Sequence, residues 1–208
     1  MTQELIQRIE KGIQYRDMSM AVADIADRMV VQGYATTFNE PYVLYEDEEM
    51  RILEQVDAGA FRNADMRDVI MQYDHRGHVF ARIRNNTLQV QTDERGLFIT
   101  ADLGGTEIGR QLYEEIRGGY TDKMSFAFTV TGEDVTRMIE NGKRIVTRTI
   151  TEIGKLYDVS AVSIPANNGT DISARSFCDG IIQKEHEESM MRAEKRKLIN
   201  LKLRLMEV

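Results

Sequence analysis

Hydrophobic and polar positions alternate along most of this chain. Between Tyr120 and Val130 the sequence YTDKMSFAFTV places Met124, Phe126, Phe128 and Val130 at every second position, with Ser125, Ala127 and Thr129 between them. A period of two marks a strand whose successive side chains face opposite ways, so this segment predicts a strand with one bulky face and one face of small residues. MVVQGYATTF from Met29 and RILEQV from Arg51 are further strand-like runs, separated by an acidic loop over Tyr45 to Met50. VFARIR, TLQVQ and GLFITADL read as three short strands of an antiparallel meander, joined at Asn85-Asn86 and at Asp93 to Gly96, where residues tolerant of positive φ suit tight turns. Asn141-Gly142 predicts a type I′ hairpin between VTRMIE and KRIVTRTI, and the strand-like YDVSAVSI ends at Pro165.

Helical spacing appears in three places. Leu5, Ile6, Ile9 and Ile13 predict a short helical arm at the amino terminus. Residues 106 to 117 place Ile108, Leu112 and Ile116 on one face, with Thr106 as N-cap and Gly118-Gly119 as the stop. From Asp179 the chain is highly charged, and Met191, Leu198 and Leu205 recur at sevens with Leu201 between them, which predicts a helix with one narrow apolar stripe. Such a stripe suits either folding back on the body or pairing with a partner helix. The predicted organisation is a helical arm over 1–27, a mainly β domain with a few helices over 28–178, and a charged carboxy-terminal helix over 179–208.

Composition narrows the function. The chain has 208 residues, 42% of them hydrophobic, enough for one domain with a true core. A formal net charge of −7 argues against general nucleic-acid binding, which needs a cationic surface. The single cysteine, Cys178, rules out an internal disulfide framework, and no Cys/His spacing suggests a metal site. No signal peptide and no run of ~20 apolar residues is present, which predicts a soluble intracellular protein without a membrane partner. Neither a P-loop nor a dinucleotide fingerprint occurs, and no cofactor is expected.

Three histidines exist. His186 lies among Glu185, Glu187 and Glu188 in the tail, where a solvated side chain is the natural reading. His75 and His78 follow the strand-like VIMQYD, and His75 falls where that strand should end at a rim. The small face carrying Ser125 would leave open space above its hydroxyl. A serine attacks at neutral pH only when a base takes its proton, and histidine held by a third polar group is the usual base. Spacing alone leaves Ser125 either a small strand residue or a nucleophile. A small-molecule esterase is disfavoured, because KMSFA lacks the Gly-x-Ser-x-Gly elbow.

Five ordered segments resemble the prohead maturation proteases of tailed bacteriophages, a family distantly related to the herpesvirus capsid-maturation proteases. They are VVQGYATTFNE, VDAGAFRNA, MQYDHRGHVFARI, GGYTDKMSFAFTV and YDVSAVSIPANNGTDI, together covering roughly residues 28 to 175. The resemblance implies a serine endopeptidase with a compact antiparallel β-barrel surrounded by helices. It implies cleavage of scaffolding protein or delta-domain and of major capsid protein extensions, and self-cleavage, inside an assembling procapsid in the host cytoplasm. By motif position Ser125 corresponds to the nucleophile and His75 to the general base, with His78 left structural.

The herpesvirus branch uses a second late histidine, and none stands in the matched region here. Asp158, at the acidic position of YDVSAVS, is the expected substitute, with Glu152 as competitor. Backbone N–H groups are expected to form the oxyanion hole, with Arg175 as an addition. Ala127 stands where many relatives have glycine, which implies a narrower groove. Pairing of the barrel or the tail helix with a second copy is a further expectation. The alternative is a non-catalytic capsid assembly or scaffolding protein.

Overall fold

A computed structural model describes the backbone of residues 13–23, 28–163 and 172–206, with side chains throughout except at 13, 15, 17, 172–177, 185, 189, 193, 198 and 200–206. Ten strands among the described residues form one sheet: β1 (Ile13–Ala23), β2 (Val30–Thr37), β3 (Tyr42–Glu46), β4 (Met50–Val56), β5 (Ile70–Tyr73), β6 (Arg76–Arg82), β7 (Leu88–Thr92), β8 (Gly96–Asp102), β9 (Lys123–Glu140) and β10 (Lys143–Val162). Among the described residues two α-helices accompany them, α1 (Glu107–Arg117) and α2 (Ile172–Met206). The class is α+β and mainly β, as the alternation predicts.

The main path runs β3-β4-β10-β9-β1-β2-β8-β7, with β5 joined to β10 and β6 to β5. These ladders leave the sheet open instead of closing it into the expected barrel: β6 and β7, neighbours in the chain, are linked by a 3-10 turn over Ile83–Asn85 and not by a ladder. The predicted meander is corrected accordingly. β7 and β8 pair antiparallel, but the VFARIR strand pairs backward with β5. The helical arm is corrected over its second half, since Ile13–Ala23 is a strand bridging β9 and β2; residues 1–12 lie outside the description. Strand pairing decides the conformation here, because β9 takes Ile13–Ser19 and β2 takes Met20–Ala23.

Strand β10 organises the rest. Its first half lies parallel to β4 and its second half parallel to β5, while β9 runs antiparallel along both. The β9–β10 connection is Asn141-Gly142 with φ of 50° and 83°, as a type I′ turn requires. The acidic segment after Tyr45 is more ordered than its composition suggests: Asp47 Oδ1 accepts the backbone N–H groups of Glu49 and Met50 at 2.8 and 2.7 Å and so closes the β3–β4 turn.

Met124, Phe126 and Phe128 of β9 are fully buried in the main core with Leu97, Ile99, Ile153 and Val159. Each such side chain contributes roughly 1.5–3 kcal/mol by leaving water. Helix α1 is capped by Thr106, whose Oγ1 accepts the Gly109 N–H at 3.0 Å; Leu112 and Ile116 are buried, and Ile108 stays exposed beside a groove. Cys178 and Ile181 of α2 join Leu44, Met50, Ile52 and Val146 in a second core. The predicted boundary at 178 therefore falls inside a helix that starts at Ile172 and whose early turns pack on the sheet. Met191 of the predicted stripe is exposed, and the side chains of Leu198, Leu201 and Leu205 lie outside the description.

Candidate active site

The site is built on the second half of β10 and the strands beside it. A β-bulge decides its composition. Leu156 pairs with Phe128, but the next partners are Asp158 and Ala127, so Tyr157 is an extra residue in β10. One extra residue inverts the alternation beyond it. Val159 and Ala161 therefore enter the core, Val159 opposite Phe126, while Asp158 and Ser160 share the face of Ala127 and Ser125. In this register Ser160 is the direct partner of Ser125, and Asp158 lies diagonally from it, about 7–8 Å away by ordinary strand geometry.

His75 arrives from the other side. Strand β5 lies parallel to β10, with Tyr73 beside Ala161, and the chain then reverses through Asp74 and His75 into β6. Both turn residues have positive φ, 49° and 56°, the signature of a type I′ hairpin. Asp and His enter that region more readily than most residues, yet each costs about 1–2 kcal/mol there. The turn is held by its ties to the end of β10. The Asp74 N–H donates to Ala161 O at 2.9 Å, and Asp74 Oδ1 accepts the Ser163 N–H at 2.9 Å. The Ser163 hydroxyl donates to Asp74 Oδ2 at 2.9 Å.

This placement joins His75 to Asp158, with Nδ1 and Oδ1 2.6 Å apart. Both side chains are largely shielded, 12% and 8% exposed, so the contact is a charge-assisted hydrogen bond out of bulk water. An ionised carboxylate only accepts; Nδ1–H is the donor, and Nε2 is the basic nitrogen of that tautomer. The Ser160 hydroxyl donates to the same Oδ1, also at 2.6 Å.

Ser125 is fully buried, and its Oγ makes no hydrogen bond among the described residues. The predicted open space over the small face is thus corrected: Ser125, Ala127 and Ser160 are covered, and no hydrogen bond joins Ser125 to His75 in this conformation. A buried hydroxyl without a partner costs about 1–3 kcal/mol and is uncommon in native proteins outside functional sites.

Glu152 does not reach the cluster. It is exposed, pairs with Gly132, and precedes Asp158 by six residues, roughly 20 Å of strand. His78 is exposed on β6, and His186 is exposed on α2. Arg175 falls within α2, but its side chain lies outside the description. Among the described residues no group of three His, Cys, Asp or Glu could hold a metal, and no helix is long and apolar enough to cross a membrane. A groove of about 470 Å³ opens beside the His75 turn, between the β5–β6 hairpin and α1, lined by Arg76, His78, Phe80, Ile108 and Leu112 among others.

A model of the caudovirus prohead serine protease family matches residues 17–191, most of the chain and all the strands just described from β2 to β10. The chain belongs to the caudovirus prohead serine protease family. It is also 26% identical over 188 residues to the prohead protease of Enterobacteria phage HK97, an alignment covering 88% of this chain and 76% of that relative. No solved structure matches. The prohead serine protease match includes β9, β10 and the β5–β6 turn, so the buried serine, the histidine and the aspartate all fall inside the family region.

Ser125, His75 and Asp158, singled out in the sequence by motif position, lie on one face and its rim, with His75 bonded to Asp158 and Ser125 bonded to neither. Ser160 escaped the sequence reading, as did the Asp74–Ser163 tie. The signal for Ser160 was present: in a strand, residues two apart share a face, so any role for Asp158 places Ser160 beside it.

Proposed function

We propose that this prohead protease cleaves peptide bonds with Ser125 as nucleophile, His75 as general base and Asp158 as the acid that orients His75. The observation that carries the reading is a buried serine hydroxyl, without a hydrogen bond among the described residues, across one ladder from a carboxylate already bonded to a histidine ring. Ser125 Oγ forms a bond to the substrate carbonyl carbon as its proton passes to His75 Nε2, and the carbonyl π pair moves onto oxygen. Collapse expels the amine, which takes the proton from His75; water then repeats the sequence and releases the acid. Asp158 stabilises the imidazolium that forms in each half. Backbone N–H groups are proposed to hold the oxyanion, with Arg175 as a further cation.

Because Ser125 is buried, the proposed attack requires its face to uncover for substrate to enter. The groove beside the His75 turn is the proposed approach for polypeptide. The substrates are proposed to be scaffolding protein or delta-domain and major capsid protein extensions, and the protease itself, within the procapsid assembling in the host cytoplasm. Self-association through α2 or the sheet is part of the same proposal. Co-expression with the capsid and scaffolding proteins of the same phage tests it. The wild type should process them and Ser125→Ala should leave them intact while remaining folded; processing by Ser125→Ala would refute the assignment.

A further inference from the structure

The structure assigns Ser160 as a positioning residue of this site, an inference that rests on the reading of Asp158 as the acid behind His75. Three observations converge on it. Its hydroxyl donates to Asp158 Oδ1 at 2.6 Å, the same oxygen and the same separation as the bond from His75 Nδ1. It is fully buried, so water does not compete for that donor. It is also the direct cross-strand partner of Ser125, placing the proton it gives to Asp158 next to the hydroxyl that has no partner among the described residues.

The pairing of the two serines is a division of labour set by the bulge at Tyr157. Without the extra residue, Val159 would stand opposite Ser125, and Asp158 and Ser160 would both fall on the Phe126 and Met124 face, away from that serine. With it, the hydrogen-bonded pair Asp158 and Ser160 lies on the face of Ser125. The Ser160 proton is engaged by a carboxylate oxygen, whereas Ser125 keeps its proton available for an imidazole. Two donors on one oxygen fix the carboxylate's rotation about its terminal torsion, which is otherwise broad. The outcome is an imidazole held in one tautomer and one orientation before substrate arrives.

Ser160→Ala tests this, using a peptide that copies a cleavage junction mapped from capsid-protein processing. The expected result is a fall in kcat of about 10-fold with KM within about twofold, because the variant loses orientation of the base and no substrate contact. A packing role alone would not touch the imidazole, so the second readout is proton NMR of the His75 Nδ1–H, recorded in Ser125→Ala and in Ser125→Ala/Ser160→Ala. In the double variant that resonance should move upfield and exchange faster with water. Wild-type kcat, or an unmoved resonance whatever the kcat, would overturn the assignment. Asp158→Asn run in parallel separates the two readings. If it is inactive while Ser160→Ala is unaffected, only the Ser160 role fails; if both turn over normally, the reading of Asp158 fails as well.

Discussion

At the scale of single residues, the molecule carries two costs that packing alone does not explain. Asp74 and His75 sit in left-handed backbone, and the Ser125 hydroxyl is buried without a hydrogen bond among the described residues. Stability given up at a site of this kind is regained when the group is removed. Ser125→Ala is therefore expected to raise thermal stability, by about 1 kcal/mol in chemical unfolding, while abolishing turnover. Asp158 and Glu152 separate in the opposite test. Asp158→Asn should lower kcat by orders of magnitude, since the amide favours the wrong imidazole tautomer; Glu152→Gln, exposed and remote, should leave kcat within about twofold. Steady-state kinetics on the same peptide reads both. These residues were visible in the sequence through their motifs, but their relation was not: nothing in the chain order shows that His75 lies beside Asp158.

At the scale of elements, what joins the strands is partly ionic. Glu54 of β4 is fully buried and bonded to Arg16 of β1, to Arg148 Nη1 of β10 at 2.7 Å and to the Tyr42 hydroxyl of β3. Burial pulls the Glu54 carboxyl upward, but Arg16, by charge and hydrogen bond, and then Arg148 more than offset it, leaving it below the ordinary glutamate value. A lowered native value means the folded state holds this proton less tightly than the unfolded one. Its contribution is thus complete above about pH 4.3 and is lost as pH falls through the native value. Glu54→Ala should cost about 3 kcal/mol at neutral pH, because it removes the carboxylate shared by two buried guanidinium groups while Arg148 keeps its pairing with Glu133, and it should flatten the acid limb of a stability-against-pH curve. Denaturant titrations at several pH values measure both effects. The sequence foretold β9, α1 and the Asn141-Gly142 hairpin because local patterning, a cap and a turn specify them. It concealed the bulge at Tyr157, which exists only as a register between β9 and β10, and it suggested a helix where β1 finds two strand neighbours.

At the scale of the whole molecule, the long helix α2 begins as part of the body and continues as a charged rod. Its 35 residues amount to roughly 50 Å. Burial, with the Glu54 charge adding to it, pushes the Cys178 thiol up to about 11. Iodoacetamide at pH 8 should therefore alkylate the native protein at least about 100-fold more slowly than the unfolded chain; equal rates would mean that α2 leaves the sheet. Met190 and Met191, farther along, are exposed, and deletion of 184–208 is expected to spare cleavage of a short peptide while preventing incorporation into procapsids, read by gel analysis of purified particles. The proposed chemistry turns on one atom, the Ser125 oxygen. Procapsid preparations that are processing capsid protein should be treated with a serine-directed phosphonate and the adduct located by peptide mass spectrometry. A single adduct is expected on Ser125, and it should disappear in His75→Ala. An adduct on Ser160 or any other serine, or undiminished labelling without His75, would contradict that chemistry.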